Sequence, residues 1–364
     1  MQIAINATEA FWRVKTGTGY YVRNLISHLP VRSPEDEVVL LGIQASDIDT
    51  SCRGGHTLRL LRSPRTRTVW SKIRLPIHFM THRYDVVHIP EHKLPTFVGS
   101  PTVVTIHDLA CLIHPESFSR LHRERLTWFT RDAVQRADHI IAISSSTKKD
   151  ICSLLPVRPE KIHVVHHGVD HEVFRPGQQP GREPMRYILS VGELQPRKNY
   201  LLLIRAFKKM CERLHERVEL KIVGKPGWEW EPITREATEP PFQDRVKILG
   251  YVPESQLVEL YQGATMVAMP SLYEGFGLPL PEAMACGVPV IASNTSSFPE
   301  IVGEAGILLD PTNEADWVDA LELLFRDDTK RQELSQRSLE QAKLFDWQRV
   351  AEETSSVYRK VCGS

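Results

Sequence analysis

What this sequence lacks narrows its class before any motif is considered. Neither sign of charge is in excess, because Lys plus Arg and Asp plus Glu both total 45. Net charge therefore points to no nucleic-acid partner and no acidic one. No apolar run approaches the roughly 18–20 residues that a membrane-spanning helix needs. The opening residues Met1-Gln2-Ile3-Ala4-Ile5-Asn6 lack the charged and apolar regions of a signal peptide. The six cysteines (Cys52, Cys111, Cys152, Cys211, Cys286 and Cys362) are scattered, with no Cys-x-x-Cys or paired-ligand spacing. That pattern predicts reduced thiols in the cytoplasm, and argues against a disulfide framework or a zinc site.

With 364 residues, 41% of them hydrophobic, the chain is long enough for two cores. Short apolar runs alternate with segments of helical period. Strands are predicted at 2–6, 38–43, 57–61, 85–90, 102–107, 139–144 and 162–166. Helices are predicted at 19–29, 118–136 and 145–154, the first with Val22, Leu25, Ile26 and Leu29 on one face. The rhythm breaks in a Pro/Gly/Gln-rich stretch, Phe174 to Pro184, and restarts with Tyr187-Ile188-Leu189-Ser190-Val191-Gly192. Further strands follow near 219–223, 245–249, 265–269, 289–293 and 306–309, and a final helix runs from Trp347 to Cys362. Such alternation implies two α/β domains with parallel sheets, and chemistry outside the carboxyl ends of the strands, in the cleft between domains.

Four segments carry chemistry. In Ser271-Leu272-Tyr273-Glu274-Gly275-Phe276-Gly277-Leu278-Pro279-Leu280-Pro281-Glu282 two carboxylates stand eight positions apart around a Gly-rich turn into a helix. Glycines let backbone approach a ligand, prolines suit a first helical turn, and a helix N-terminus favours anionic oxygens. Taken singly, Glu274 reads as a solvated loop residue and Glu282 as a partner of the helix dipole. In Gly192-Glu193-Leu194-Gln195-Pro196-Arg197-Lys198-Asn199, adjacent cations sit where a helix begins, an end that disfavours cations unless they serve an anion. Thr16-Gly17-Thr18-Gly19-Tyr20 follows the first strand, but lacks the third glycine of a dinucleotide fingerprint. His107-Asp108-Leu109 ends another strand. The pair His166-His167 invites a metal reading, set aside because no third ligand accompanies it.

The first segment resembles the E-x7-E signature of retaining GT-B glycosyltransferases of family 4, and the other motifs of that family follow in order. The resemblance spans residues 16–302 and extends through Phe345-Asp346-Trp347. It implies an N-terminal, acceptor-side Rossmann-like domain over 1–173, a linker over 174–185, a nucleotide-sugar-binding Rossmann-like domain over 186–345, and a helix over 346–364 that returns to the first domain. It implies that Glu274 lies near the donor sugar, that Glu282 binds the ribose, and that Phe276, Gly277 and Leu278 form the turn over the donor. Arg197 and Lys198 then hold the diphosphate, Gly17 and Gly19 bring backbone N–H groups to the phosphates, and His107 orients sugar and acceptor. Tyr20 stands where the family commonly has Arg, which removes one side-chain contact to phosphate. Catalysis in such enzymes rests on His107, Glu274, Arg197 and Lys198, with front-face attack and no metal cofactor.

Between Asp49 and Asp85 there is no acidic residue, while Arg53, Arg59, Arg62, Arg65, Arg67, Lys72, Arg74 and Arg83 accumulate. Val69, Trp70, Ile73, Leu75, Ile77, Phe79 and Met80 are interleaved with the last of them. The stretch supports two readings: an anionic membrane surface met by Arg62, Arg65, Arg67, Trp70, Lys72 and Arg74, or a solvated basic face beside apolar core positions. The first reading implies a peripheral enzyme on the inner face of the cell membrane and a lipid-linked saccharide acceptor. The run His107-Asp108-Leu109, Pro115-Glu116 and Phe118, together with the turn His166-His167-Gly168, resembles bacterial mannosyltransferases that use GDP-mannose. Two rivals stand beside it: a sugar phosphorylase or other enzyme on the same scaffold, and a non-catalytic sugar- or lipid-binding protein.

Overall fold

The structure, a computed structural model, describes residues 1–11, 17–29, 36–43, 56–61, 69–177, 186–214 and 216–363. The chain packs as two compact units. One comprises Met1–Leu109, Leu121–Gly168 and Trp347–Ser364; the other comprises Ala110–Arg120 and Val169–Asp346.

The first unit is built on seven parallel strands: β1 (Gln2–Asn6), β2 (Glu37–Ile43), β3 (Thr57–Leu61), β4 (Val86–Ile89), β5 (Thr102–Ile106), β6 (His139–Ala142) and β7 (Ile162–Val164). Their spatial order is β3-β2-β1-β4-β5-β6-β7. The second has six: β8 (Arg186–Val191), β9 (Val218–Val223), β10 (Val246–Gly250), β11 (Met266–Met269), β12 (Val290–Ser293) and β13 (Gly306–Leu309). These run β10-β9-β8-β11-β12-β13. The central strand β11 is buried along its whole length and its sequence, Met266-Val267-Ala268-Met269, is a continuous apolar run; β5 is buried as fully, with Thr102 and Thr105 among Val103, Val104 and Ile106. Both sheets are doubly wound, and each reverses direction between two neighbouring strands, β1 and β4 in one, β8 and β11 in the other. In doubly wound sheets such a switch point is where the loops at the carboxyl ends leave room for a ligand.

Helices cover the sheets through apolar stripes of helical period. Tyr200–Arg213 buries Leu203, Ala206, Phe207 and Met210, which recur every three or four residues. The last helix, Trp347–Cys362, belongs to the first unit, although 178 residues of the second unit precede it. It places Trp347, Val350, Ala351, Val357, Tyr358 and Val361 in one cluster with Ile3, Ile5, Phe11, Tyr21 and Leu25. Each large apolar side chain buried in this way contributes about 1.5–3 kcal/mol. The Tyr358 hydroxyl also meets Nδ1 of the fully buried His88 at 2.7 Å.

The basic stretch divides cleanly. Arg53, Arg62, Arg65 and Arg67 lie outside the described residues. A single turn of π-helix, Trp70–Arg74, runs straight into the α-helix Leu75–Thr81. Trp70 is 3% exposed, and its core-facing neighbours Leu75 and Phe79 are 0% exposed. Trp70 is therefore not a surface residue: helical phase turns its indole inward with Leu75 and Phe79. Lys72 and Arg74 are exposed, and so are Ile73, Ile77 and Met80, at 50%, 52% and 67%. Among the described residues, no helix is long and apolar enough to cross a membrane.

Candidate active site

In the second unit the switch-point loops after β8 and β11 bring distant residues together. Beyond β8 the chain makes a tight turn, Pro196–Lys198, and Asn199 then takes a left-handed conformation (φ 56°) before the helix Tyr200–Arg213. Asn tolerates that conformation better than most residues, and its Nδ2 donates to the Pro311 carbonyl at 2.8 Å. The Leu272 N–H donates to the Arg197 carbonyl at 2.8 Å, which stitches the β8 turn to the β11 loop.

Glu274 is the centre of this arrangement. Its side chain is 9% exposed, and those of Arg197 and Lys198 are 10% and 11% exposed. Arg197 Nη1 donates to Glu274 Oε2 at 3.0 Å, Lys198 Nζ donates to Oε1, and Ser271 Oγ donates to Oε1 at 2.8 Å. Burial alone would raise this carboxyl, but the charges of Lys198 and Arg197 outweigh it and hold the group at about 2. The Glu274 backbone is fixed as well: its N–H donates to Ser296 Oγ at 3.0 Å, and Ser297 Oγ donates to its carbonyl at 3.0 Å. The cluster is two cations against one anion, so it retains a positive excess. A buried anionic ligand suits that excess better than water does.

Gly277 closes the loop with φ +87°, a conformation that L side chains rarely adopt. Leu278 then leads into the helix Pro279–Ala285, with Pro in its first turn. Phe276 is buried and stands edge-on to Phe345 at 5.6 Å. Glu282, on the helix, accepts a hydrogen bond through Oε2 from Tyr261 Oη at 2.9 Å. Burial lifts its carboxyl to about 8, against a lowering by that bond and with a further rise from Glu254.

The first unit holds a second constellation, of neutral imidazoles. His107 follows β5, and its Nε2 lies 3.0 Å from the Pro90 carbonyl, which only accepts. The proton is therefore on Nε2, and Nδ1 is left as the acceptor. The His107 backbone N–H donates to His92 Nε2 at 3.1 Å, so His92 carries its proton on Nδ1, toward Thr130 Oγ1 at 3.0 Å. The His107 ring stacks on His92 and His167 at 6.2 and 5.6 Å, and Tyr21 stands edge-on to it at 5.2 Å. Burial lowers all four imidazoles in this region, to about 4 for His107 and about 3 for His88, with His92 and His167 moved the same way. At neutral pH, His107 is an uncharged hydrogen-bonding group.

These shifts have a stability consequence. Above pH ~6.5 the histidines are neutral whether the chain is folded or not, and their contribution is constant. Below it the unfolded chain takes up protons that the folded one refuses, so stability falls until pH ~4. Thermal melts from pH 7.5 to 4.5 should show a fall in Tm whose slope corresponds to more than one proton bound on unfolding. A flat profile between pH 6.5 and 5 would contradict the burial of these rings.

The sequence-predicted residues thus separate into two groups. Arg197, Lys198, Glu274, Phe276, Gly277, Leu278 and Glu282 lie in the second unit, and His107, Gly17 and Gly19 lie in the first. Gly17 opens the helix Gly17–His28, with Gly19 buried two residues in. Thr16 lies outside the described residues. Reading the sequence missed Ser271, Ser296, Ser297, Tyr261 and His92. Ser271 is three residues from Glu274 and was within reach of a local argument; the others arrive from 15 to 23 positions away. Among the described residues no group of three or more His, Cys, Asp or Glu side chains is arranged to hold a metal ion.

Comparison with known proteins bears on this geometry. Residues 16–173 match the family described as Glycosyltransferase Family 4, and residues 175–341 match Glycosyl transferases group 1. An O-antigen chain mannosyltransferase B of Escherichia coli is 29% identical over 98% of this chain and 99% of its own. A D-inositol 3-phosphate glycosyltransferase of Corynebacterium diphtheriae is 32% identical over 76% of this chain and 70% of its own. The solved structure of sucrose-phosphate synthase from Thermosynechococcus elongatus superposes with a TM-score of 0.79 at 21% identity, over 99% of this chain and 98% of that one. The chain belongs to glycosyltransferase family 4: it has the GT-B fold and is a retaining hexosyltransferase that uses a nucleotide-sugar donor.

Proposed function

We propose that this enzyme transfers mannose from GDP-mannose to a lipid-linked saccharide, in the assembly of a surface polysaccharide or glycolipid. The observation that carries the donor side is the buried Glu274 held between Arg197 and Lys198, beside the Gly277 turn. In this reading the two cations take the donor diphosphate and stabilise it as it departs, since charge develops on the leaving oxygens as the glycosidic bond breaks. Glu274 lies by the sugar, Glu282 by the ribose, Gly277 and Leu278 pass over the donor, and backbone at Gly17 and Gly19 meets phosphate. His107, uncharged, offers Nδ1 as an acceptor for a sugar or acceptor hydroxyl. The donor diphosphate takes the proton of the attacking hydroxyl on the front face.

The similarity to an O-antigen chain mannosyltransferase over nearly the whole of both chains supports mannose, and a lipid-linked acceptor belongs to the same reading. The exposed Ile73, Ile77 and Met80, flanked by Lys72 and Arg74, support contact with an anionic membrane at which such an acceptor resides. The resemblance to D-inositol 3-phosphate glycosyltransferases favours a second reading, a soluble phosphorylated polyol as acceptor.

Purified enzyme incubated with GDP-, UDP-, dTDP- and ADP-sugars tests both, with lipid extract in one arm and D-inositol 3-phosphate in the other. Nucleoside diphosphate release reports turnover, and NMR of the product reports the anomeric configuration. Release from GDP-mannose that requires lipid extract, with an α-linked product, is expected. Turnover of a UDP-sugar alone sinks the mannose assignment. Turnover with D-inositol 3-phosphate but not with lipid establishes the second reading in place of the first.

A further inference from the structure

Tyr261 is a buried tyrosine with no place in the donor site described so far. It lies near the end of the helix Glu254–Gly263, is 0% exposed, and packs edge-on against Phe174 at 6.0 Å. A phenol buried this completely needs a partner for its hydroxyl. The partner is not a backbone carbonyl of the neighbouring strands but Oε2 of Glu282, at 2.9 Å. A core position that wanted only aromatic volume would be served by phenylalanine, as Phe174 serves opposite.

The other oxygen of the same carboxyl has a different fate. Among the described residues Oε1 of Glu282 has no hydrogen-bond partner, and the Glu282 side chain is only partly covered. One oxygen is thus tied to the core and the other is left for a ligand, on the first turn of the helix that follows Gly277 and Leu278. A glutamate side chain has three rotatable torsions, and holding one oxygen fixes all of them. From this we propose that Tyr261 is a positioning residue, whose hydroxyl holds the Glu282 carboxyl in the rotamer that receives the ribose hydroxyls of the donor nucleotide. The inference rests on Glu282 being the ribose partner.

The electrostatics of the pair point the same way. The groups that face the Glu282 carboxyl are Tyr261 and Glu254 on one helix and Cys286 on its own. Burial and Glu254 disfavour its charge, and the Tyr261 hydroxyl opposes both. Removing that hydroxyl leaves a carboxyl that ionises less readily and also turns more freely. Both changes weaken acceptance of a hydroxyl proton, and both act on the ribose end of the ligand. Neither touches Arg197 or Lys198.

The measurement is calorimetric binding of GDP, UDP, ADP and dTDP to wild type, followed by the best ribonucleotide and its 2′,3′-dideoxy analogue against wild type, Tyr261→Phe and Glu282→Gln. Wild type should favour the ribo form by about tenfold or more, the usual result of leaving a buried polar group without its partner. Tyr261→Phe should bring that ratio down to about two, while binding the dideoxy analogue as wild type does. The apparent pKa in the pH dependence of ribonucleotide binding should also move upward in Tyr261→Phe. A general packing defect lowers Tm and weakens both ligands equally, so a ratio unchanged from wild type overturns the role given to Tyr261. A ratio lost in Glu282→Gln but kept in Tyr261→Phe overturns it too, and leaves the ribose assignment of Glu282 intact. Wild type that does not distinguish ribo from dideoxy, or that binds dTDP alone, overturns the ribose assignment itself and the inference with it.

Discussion

Glu274→Gln should slow turnover by roughly two to three orders of magnitude while binding the nucleoside diphosphate about tenfold more tightly. On the proposed placement of Glu274 beside the donor sugar, the first effect follows from removing a charge that faces a developing oxocarbenium-like centre, a loss of about 3–4 kcal/mol in comparable sites. The second follows from the ion pairs. In the free protein the Glu274 carboxylate accepts from both Arg197 and Lys198, and all three side chains are nearly inaccessible to water. A diphosphate that approaches the same two cations must compete with that internal anion. Glutamine keeps the volume and an acceptor oxygen but removes the competing charge. Because the carboxyl sits at about 2, no working pH achieves the same neutralisation. Steady-state kinetics at saturating donor and calorimetry with the diphosphate product read the two effects separately. Lys198→Ala serves as the contrast, since it should lower turnover and diphosphate affinity together. If Glu274→Gln also weakens the diphosphate, the carboxylate holds the cations in place and does not compete for them.

Gly277→Ala should destabilise the protein by about 2–4 kcal/mol, an effect independent of any functional assignment. At φ +87° an L side chain carries an intrinsic penalty of about 1 kcal/mol. The added Cβ would also stand 2.4 Å from Phe298 Cε1. That ring is 1% exposed at the start of the helix Phe298–Val302 and cannot swing into solvent. Overpacking of this kind adds about 1–3 kcal/mol. Gly17→Ala is the matched control for stability: its Cβ meets nothing within 4 Å and Gly17 lies in a helix, so folding should be unchanged or slightly strengthened. Urea denaturation of the two variants side by side decides the matter. Equal midpoints would mean that the Gly277 turn relaxes at little cost.

Much of this fold was legible because parallel, doubly covered strands write themselves as uninterrupted apolar runs. β11 could be located to within a residue or so on that ground alone, and β5 from Val103, Val104 and Ile106 although Thr105 interrupts them. The loop from Ser271 to Glu282 was legible for a different reason: its chemistry is local, with glycine, proline and carboxylate following one another along the chain. What stayed hidden depended on contacts across the sequence. Ser296 and Ser297 fasten the Glu274 backbone from the loop after β12, and nothing in their own neighbourhood marks them. His92 was invisible because its part is to accept a hydrogen bond from the main chain of His107, a role that any acceptor could fill. Trp70 was misplaced because a basic, apolar segment has the same composition whether its large rings face water or core. Only the helical phase of Trp70, Leu75 and Phe79 decides which side is which.

The return of the helix Trp347–Cys362 to the first unit bears on how the protein comes into being. Chains emerge from the ribosome N-terminus first, and units tend to fold in that order. Here the residues that complete the first hydrophobic cluster, from Trp347 to Val361, are synthesised after every residue of the second unit. Until they emerge, Ile3, Phe11, Tyr21 and Leu25 lack the partners that cover them. His88 waits likewise for the hydroxyl of Tyr358, made 270 residues later. The unit that is begun first is therefore the one that must be finished last.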